Sequence, residues 1–174
     1  GDVYKRQTYD FFMNVANYEG LNDPSKFVKF ENRDIAQRTL RRSYYFAGQE
    51  LLIQGDTAKA LDIVEKCVSI MPDSLIAFGT YSFSLGKLCY RAKAPQLGRE
   101  IVSKVMLNMK EEMDYLMSFS PSHPVICVNY TKKILQMYGQ MAGQMKPLDP
   151  EFFAYREAEI PELDAEFELW ANTV

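Results

Sequence analysis

The sequence predicts an all-α chain, with antiparallel helix hairpins stacked as an α-α superhelix and capping helices at either end. Three observations predict it. Apolar residues recur at helical spacing along nearly the whole length. The breaks between these runs are short Gly-Asp, Lys-Ala and Ser-Pro segments. One set of small and large residues also returns after 38 positions, as Gly48 to Gly86 and Val64 to Val102.

The elements follow in order. The first seven residues, GDVYKRQ, read as an adapter-derived tail, and 8–174 as a single helical-repeat domain. Tyr9 to Ala16 forms a short helix, ended by Gly20 and the loop Asn22-Asp23-Pro24, so 8–20 is an N-terminal cap. From Asn32 the positions Ile35, Leu40, Tyr44, Ala47, Leu51 and Leu52 mark a helix through Gln54, where Gly55-Asp56 breaks the pattern. A second helix runs from Thr57 to Ile70, with Ala60, Leu61, Val64 and Cys67 on one face. It stops before Pro72, which has no N–H to continue the ladder. The phrasing then returns: a helix from Leu75 to Ala92, a turn at Lys93-Ala94, and Pro95 in the first turn of a long helix. Leu97, Ile101, Val102, Val105, Met109, Met113 and Leu116 stripe that helix down to Ser118. After the loop Ser120-Pro121-Ser122-His123-Pro124, Val125 to Met145 places Cys127, Ile134 and Met141 seven apart, as a helix packed antiparallel on its predecessor would. Pro147 and Pro150 end it. One or two short helices follow, around Glu151–Arg156 and Leu163–Ala171, anchored by Phe152, Phe153, Phe167 and Trp170. The segment 125–174 is therefore a C-terminal cap. Asp56-Thr57 and Asp73-Ser74 sit where helices start and read as N-caps.

Composition narrows the function. With 47% hydrophobic and 25% charged residues the chain is an ordinary globular one, which excludes disorder. A net charge of −3 provides no overall field for nucleic acid, so no such partner is expected. Local patches remain: Lys26, Lys29, Arg33, Arg38, Arg41 and Arg42 make the early part basic. Asp149, Glu151, Glu157, Glu159, Glu162, Asp164, Glu166 and Glu168 make the end acidic. Both read as solvated faces, or as faces that dock on each other. The uncharged run from Ser74 to Gly86 is too short to span a bilayer. The chain has no starting Met and no leader, as expected of a piece excised from something longer.

Catalysis needs converging groups, and the inventory offers none. His123 lies between prolines in a loop and reads as a surface turn residue. Glu111, Glu112 and Asp114 read as the solvated face of a helix. Cys67, Cys89 and Cys127 match no zinc spacing and read as buried thiols. Asn129-Tyr130-Thr131 fits a glycosylation acceptor but falls inside a predicted helix, so chance accounts for it. No catalytic residue, cofactor or metal is assigned.

The repeat itself carries more. Tyr44, Ala47, Gly48, Leu51, Ala60, Val64 and Pro72 fall at the offsets of a tetratricopeptide unit of about 34 residues. Small residues let the two helices of a hairpin approach, and large ones fill the neighbouring grooves. In a second copy Leu85, Gly86, Gly98 and Val102 take the places of Ala47, Gly48, Ala60 and Val64. The units span about 41–74 and 79–112, and their longer offset implies a longer connection through Asp73 to Ala77. In this register the first helix of each unit lines a concave face. Arg42, Tyr45, Gln49 and Leu52 would come from the first unit, and Thr80, Phe83, Lys87, Tyr90 and Arg91 from the second. Aromatics with Arg and Lys suit a peptide or protein groove, because they combine large buried area with charge-assisted bonds. The face lacks the Lys and Asn clamp by which some tetratricopeptide domains hold a terminal carboxylate.

The order YDFFMN, a Pro-containing loop, FEN, an Arg-rich helix and EKCVSIMPD resembles the C-terminal soluble domain of the domain of unknown function 2723 family. These are multi-pass membrane proteins similar to protein O-mannosyltransferases. The resemblance covers about residues 8–146 and rests on Tyr9-Asp10, Met13-Asn14, Asn32, Lys66-Cys67, Met71-Pro72 and Tyr90-Arg91-Ala92. Where that family usually has a helix-breaking Gly, this chain has Lys93. The resemblance implies a parent whose membrane-embedded, glycosyltransferase-like part lies upstream, in an inner membrane, with this segment on the periplasmic side. It implies a scaffold or interaction role, with the parent itself or another protein as partner. The second reading is an accessory module that holds sugar or acceptor against Tyr and Trp faces, motivated by Trp170 together with the Tyr-rich first helix.

Overall fold

A computed structural model describes residues 7–16, 20–26, 30–123 and 128–173. The described residues form seven α-helices: α1 (Phe30–Ile35), α2 (Arg41–Ile53), α3 (Thr57–Ile70), α4 (Thr80–Arg91), α5 (Pro95–Met117), α6 (Val128–Met145) and α7 (Pro150–Ala171). Two π-helical turns, Phe11–Val15 and Ala36–Leu40, accompany them, and the second joins α1 to α2. No strand occurs among the described residues. Where the sequence reads as one domain, the contacts divide the chain into two compact units, 1–105 and 106–174, with the boundary inside α5. The reading of Cys127, Pro124 and a helix start at Val125 lies outside the described residues, as does Lys29.

In the first unit α2 packs against α3 and α4, and α3 meets α4 and the Phe11–Val15 turn. The apolar stripes read from the sequence are buried: Tyr44, Ala47, Leu51, Ala60, Val64 and Cys67 on α2 and α3, and Leu85, Ile101, Val102 and Val105 on α4 and α5. Burying the Leu, Ile and Val side chains among them contributes about 1.5–3 kcal/mol each. Ile35, placed in the stripe by its spacing, is exposed instead. The π turn that follows at Ala36 shifts the register between it and Tyr44.

The two hairpin turns are the same structure written twice. After α2, the Gly55 N–H donates to Leu52 O at 3.0 Å and the Asp56 N–H to Leu51 O at 3.0 Å. After α4, the Lys93 N–H donates to Tyr90 O at 3.1 Å and the Ala94 N–H to Cys89 O at 2.9 Å. This is the paired Schellman closure, which needs a left-handed residue just past the helix. Gly55 supplies it at φ +82, and Lys93 is driven into it at φ +63. The close approaches repeat with the same offset. A Cβ on Gly48 would stand 3.5 Å from Ala60 O and 3.5 Å from the Ile63 side chain. One on Gly86 would stand 3.2 Å from Gly98 O, 3.4 Å from Ile101 and only 2.6 Å from Val102. Small residues therefore sit where each hairpin closes, as the sequence register requires.

The connection between the hairpins departs from expectation. Leu75 to Gly79 is loop, and α4 begins at Thr80. Asp56 caps α3, accepting from the Lys59 N–H at 3.1 Å, but Asp73 does not cap α4. Its carboxylate accepts instead from the Phe78 N–H at 2.7 Å, folding the loop on itself. The loop is then latched by a residue the sequence reading counted only as part of a basic patch. The Arg41 guanidinium is buried and donates to Met71 O at 2.8 Å, to Ala77 O at 2.6 Å and to Ile76 O. Its plane lies over the Phe78 ring at 4.8 Å. Burial pulls its pKa down to about 10, which still leaves it charged at neutral pH. A charged donor satisfying three loop carbonyls replaces the main-chain partners that this irregular segment lacks.

In the second unit α6 packs on α7. Where one or two short terminal helices are expected around Glu151–Arg156 and Leu163–Ala171, there is one continuous helix, Pro150–Ala171, with Pro161 inside it. Pro161 removes a single backbone bond, and it is exposed, so the defect faces water. The buried Phe152, Leu163, Phe167 and Trp170 continue one helical face across it, and Asp149 caps the start by accepting from the Phe152 N–H at 3.0 Å. Three helices meet at one carboxylate. Glu159 on α7 accepts from Lys110 on α5 at 2.9 Å, from Arg156 at 3.0 Å and from the Tyr138 hydroxyl on α6. Burial works against its charge, but the bonds from Tyr138, Lys110 and Arg156 hold its carboxyl below the usual value.

Candidate functional site

The surface of α2 carries two candidate faces, and its packing explains why. One side, Tyr44, Ala47, Gly48 and Leu51, is consumed by the core. Thirteen residues turn through more than three full turns, so the remaining positions form two ridges that solvent can reach.

The first ridge is the one the repeat register selects. Arg42 is exposed, while Tyr45, Gln49 and Leu52 are half-buried. On α4, Thr80 and Arg91 are exposed, and Lys87 and Tyr90 are half-buried. Phe83 corrects the expectation: at 2% exposed it belongs to the core and cannot present its ring to a partner. Tyr90 is committed as well, because its ring fills the space that Gly98 leaves, 2.6 Å from where a Cβ would stand. The Lys87 ammonium lies over the Phe83 ring at 5.0 Å, and burial together with the charge of Arg91 pulls its pKa down. The exposed groups of this face are thus polar and cationic, with Tyr45 and Leu52 as its apolar part.

The second ridge was missed. Ser43, Phe46, Ala47, Gln49, Glu50 and Ile53 form one wall of a recess of about 480 Å³, with Thr8 and Phe12 opposite. Phe46 is 51% exposed and Ile53 65%. The Arg42 guanidinium lies over the Phe46 ring at 5.5 Å. The described part of the N-terminal segment is fastened at two points. The Tyr9 hydroxyl donates to Asp62 on α3 at 2.7 Å, a bond that, with burial, raises its pKa to about 12. The Phe12 ring meets Tyr44 at 4.6 Å. A signal was present in the sequence: α2 has more apolar residues than one face can hold, with Phe46 and Ile53 seven apart beside the stripe assigned to the core.

No family model, curated protein or solved structure matches the chain.

The remaining candidates are placed as follows. Cys67 and Cys89 are buried, and burial pushes both thiols up to about 12, which removes the reactive thiolate at neutral pH. His123 is exposed in its loop, its ring 6.2 Å from that of Phe119. Glu111, Glu112 and Asp114 are exposed along α5, and Glu112 accepts from the Tyr130 hydroxyl at 2.7 Å. Thr131, third residue of the Asn-Tyr-Thr triplet, lies buried within α6. Trp170 is 9% exposed and its indole N–H donates to Phe119 O at 2.7 Å, so its ring is not an open platform for a sugar. Among the described residues no three His, Cys, Asp or Glu side chains gather to hold a metal ion. Among them, too, no helix is long and apolar enough to cross a membrane.

Proposed function

We infer that this chain is a non-catalytic interaction module, a tetratricopeptide-like repeat that binds a peptide or protein segment through the face of α2 and α4. The observation that carries the reading is the duplicated hairpin. Two units with the same turn and the same glycine contacts set their first helices side by side, and a repeat of this kind presents those helices as a binding surface. Arg42, Tyr45, Gln49, Leu52, Thr80, Lys87 and Arg91 are the contact residues of this proposal, with Phe83 and Tyr90 supporting them from beneath. The resemblance to the domain of unknown function 2723 family supplies the setting: a periplasmic segment of a glycosyltransferase-like membrane protein, with the parent chain among its partners. The burial of Trp170 weighs against the carbohydrate-holding alternative. The test is co-purification of the chain with the membrane-embedded part of its parent, repeated with Arg42→Glu, Tyr45→Ala and Arg91→Glu. Binding lost in these variants, with unchanged helical circular dichroism, is the expected result. Binding that survives all three would remove this face from the interaction.

A further inference from the structure

We propose that the recess beside α2 is a second docking site, adjoining the α2–α4 face at Gln49, and that its occupant is an amphipathic helix of a partner protein carrying a basic residue opposite Glu50. The shape comes first. Ser43, Phe46, Glu50 and Ile53 follow one another at three- and four-residue steps, so the wall is a single helix ridge running the length of α2. Ridges of this spacing accept the ridge of another helix, which lays its own i, i+3, i+7 residues into the groove. Phe12 and the exposed Phe46 and Ile53 supply the apolar floor and rim.

The position in the fold agrees. A hairpin in a helical repeat buries apolar surface against a neighbour on each side. On one side of α2 that neighbour is α4. On the other, the described residues of the N-terminal segment are fastened to Asp62 on α3 and to Tyr44. Charge selects the kind of helix. Among the described residues Glu50 is the one charged residue lining the recess, and its Oε1 is oriented by the Gln54 amide at 2.7 Å. A partner with Lys or Arg beside its apolar ridge is matched to it, and one with a carboxylate there is repelled.

The experiment uses the full chain and two synthetic amphipathic helices of about 18 residues, or five turns, with identical Leu ridges flanked by Lys in one and Glu in the other. Binding is followed by calorimetry. The Lys peptide should bind and the Glu peptide bind at least about tenfold more weakly, with the preference reversed by Glu50→Lys. Phe46→Ser and Ile53→Ser should each lower affinity by about tenfold, whereas Arg91→Glu, on the other face, should leave it unchanged. Because the two faces are tested by different substitutions, failure here leaves the α2–α4 reading standing, and the reverse also holds. No binding of either peptide, binding indifferent to Glu50→Lys, or binding lost on Arg91→Glu overturns the proposal. So does self-association of the chain in sedimentation that Ile53→Ser abolishes, since the occupant would then be a second copy.

Discussion

Lys93 is a long side chain in a backbone conformation that suits glycine. At φ +63 its Cβ crowds the carbonyl that follows, at a cost of about 1–2 kcal/mol. The equivalent position in the first hairpin, Gly55, pays no such cost, and nothing lies within 4 Å of where its Cβ would be. Lys93→Gly should therefore stabilise the chain by roughly 0.5–1 kcal/mol after the greater freedom of unfolded glycine is subtracted. Gly55→Ala should destabilise it by a similar amount through backbone strain alone. Urea unfolding of the two variants checks both signs. Glu159 governs the acid limb. Its folded carboxyl lies below the ordinary 4.5, so the stability it contributes is present above that value and lost as pH falls through the folded pKa. Urea midpoints between about pH 7 and pH 3 should fall more steeply for the native chain than for Glu159→Gln, which already lacks the charge. Parallel curves would show that the carboxylate bonded to Lys110, Arg156 and Tyr138 does not differ between folded and unfolded chains.

The helices themselves were largely legible. The stops expected at Gln54, Ile70 and Ser118 lie within one residue of the observed ends Ile53, Ile70 and Met117, and with the Asp56 cap they follow from local chemistry, which is what a sequence displays. Elements whose limits depend on distant groups were not. Nothing near Leu75 announces that Arg41 will hold the loop carbonyls, so helical spacing carried α4 five residues too far toward its start. Pro161 is tolerated inside α7 because the cost of a proline depends on which side of the helix it falls, and that is known only once the buried face is. The glycines mark the hairpin contacts and make them measurable. Gly86→Ala would set a methyl 2.6 Å from Val102, and Gly98→Ala one 2.8 Å from Gly86 O, so each should cost about 1–3 kcal/mol. Gly143→Ala, on α6 with nothing within 4 Å, should instead gain roughly 0.5–1 kcal/mol from helix propensity. Thermal melts of the three variants should separate in that order.

For the whole molecule, the internal duplication was readable and the surfaces were only half so. Register assigned residues to α2 and α4 correctly, but it could not distinguish Phe83 in the core from Arg42 in water. It also missed the ridge of Phe46 and Ile53, because the opposite wall of that recess, Thr8 and Phe12, is distant in sequence. Both proposed binding faces presuppose the same thing: two hairpins, one built on Gly48 and Ala60, the other on Gly86 and Gly98, each closed at helix-to-helix backbone contact. The most direct measurement is the pattern of nuclear Overhauser effects in the isotopically labelled chain. Strong cross-peaks from the Gly86 α-protons to those of Gly98, and from the Gly48 α-protons to the Ile63 side chain, are expected. Their absence in a well-folded spectrum, or a network of inter-strand α-proton contacts in their place, would contradict the repeated hairpin.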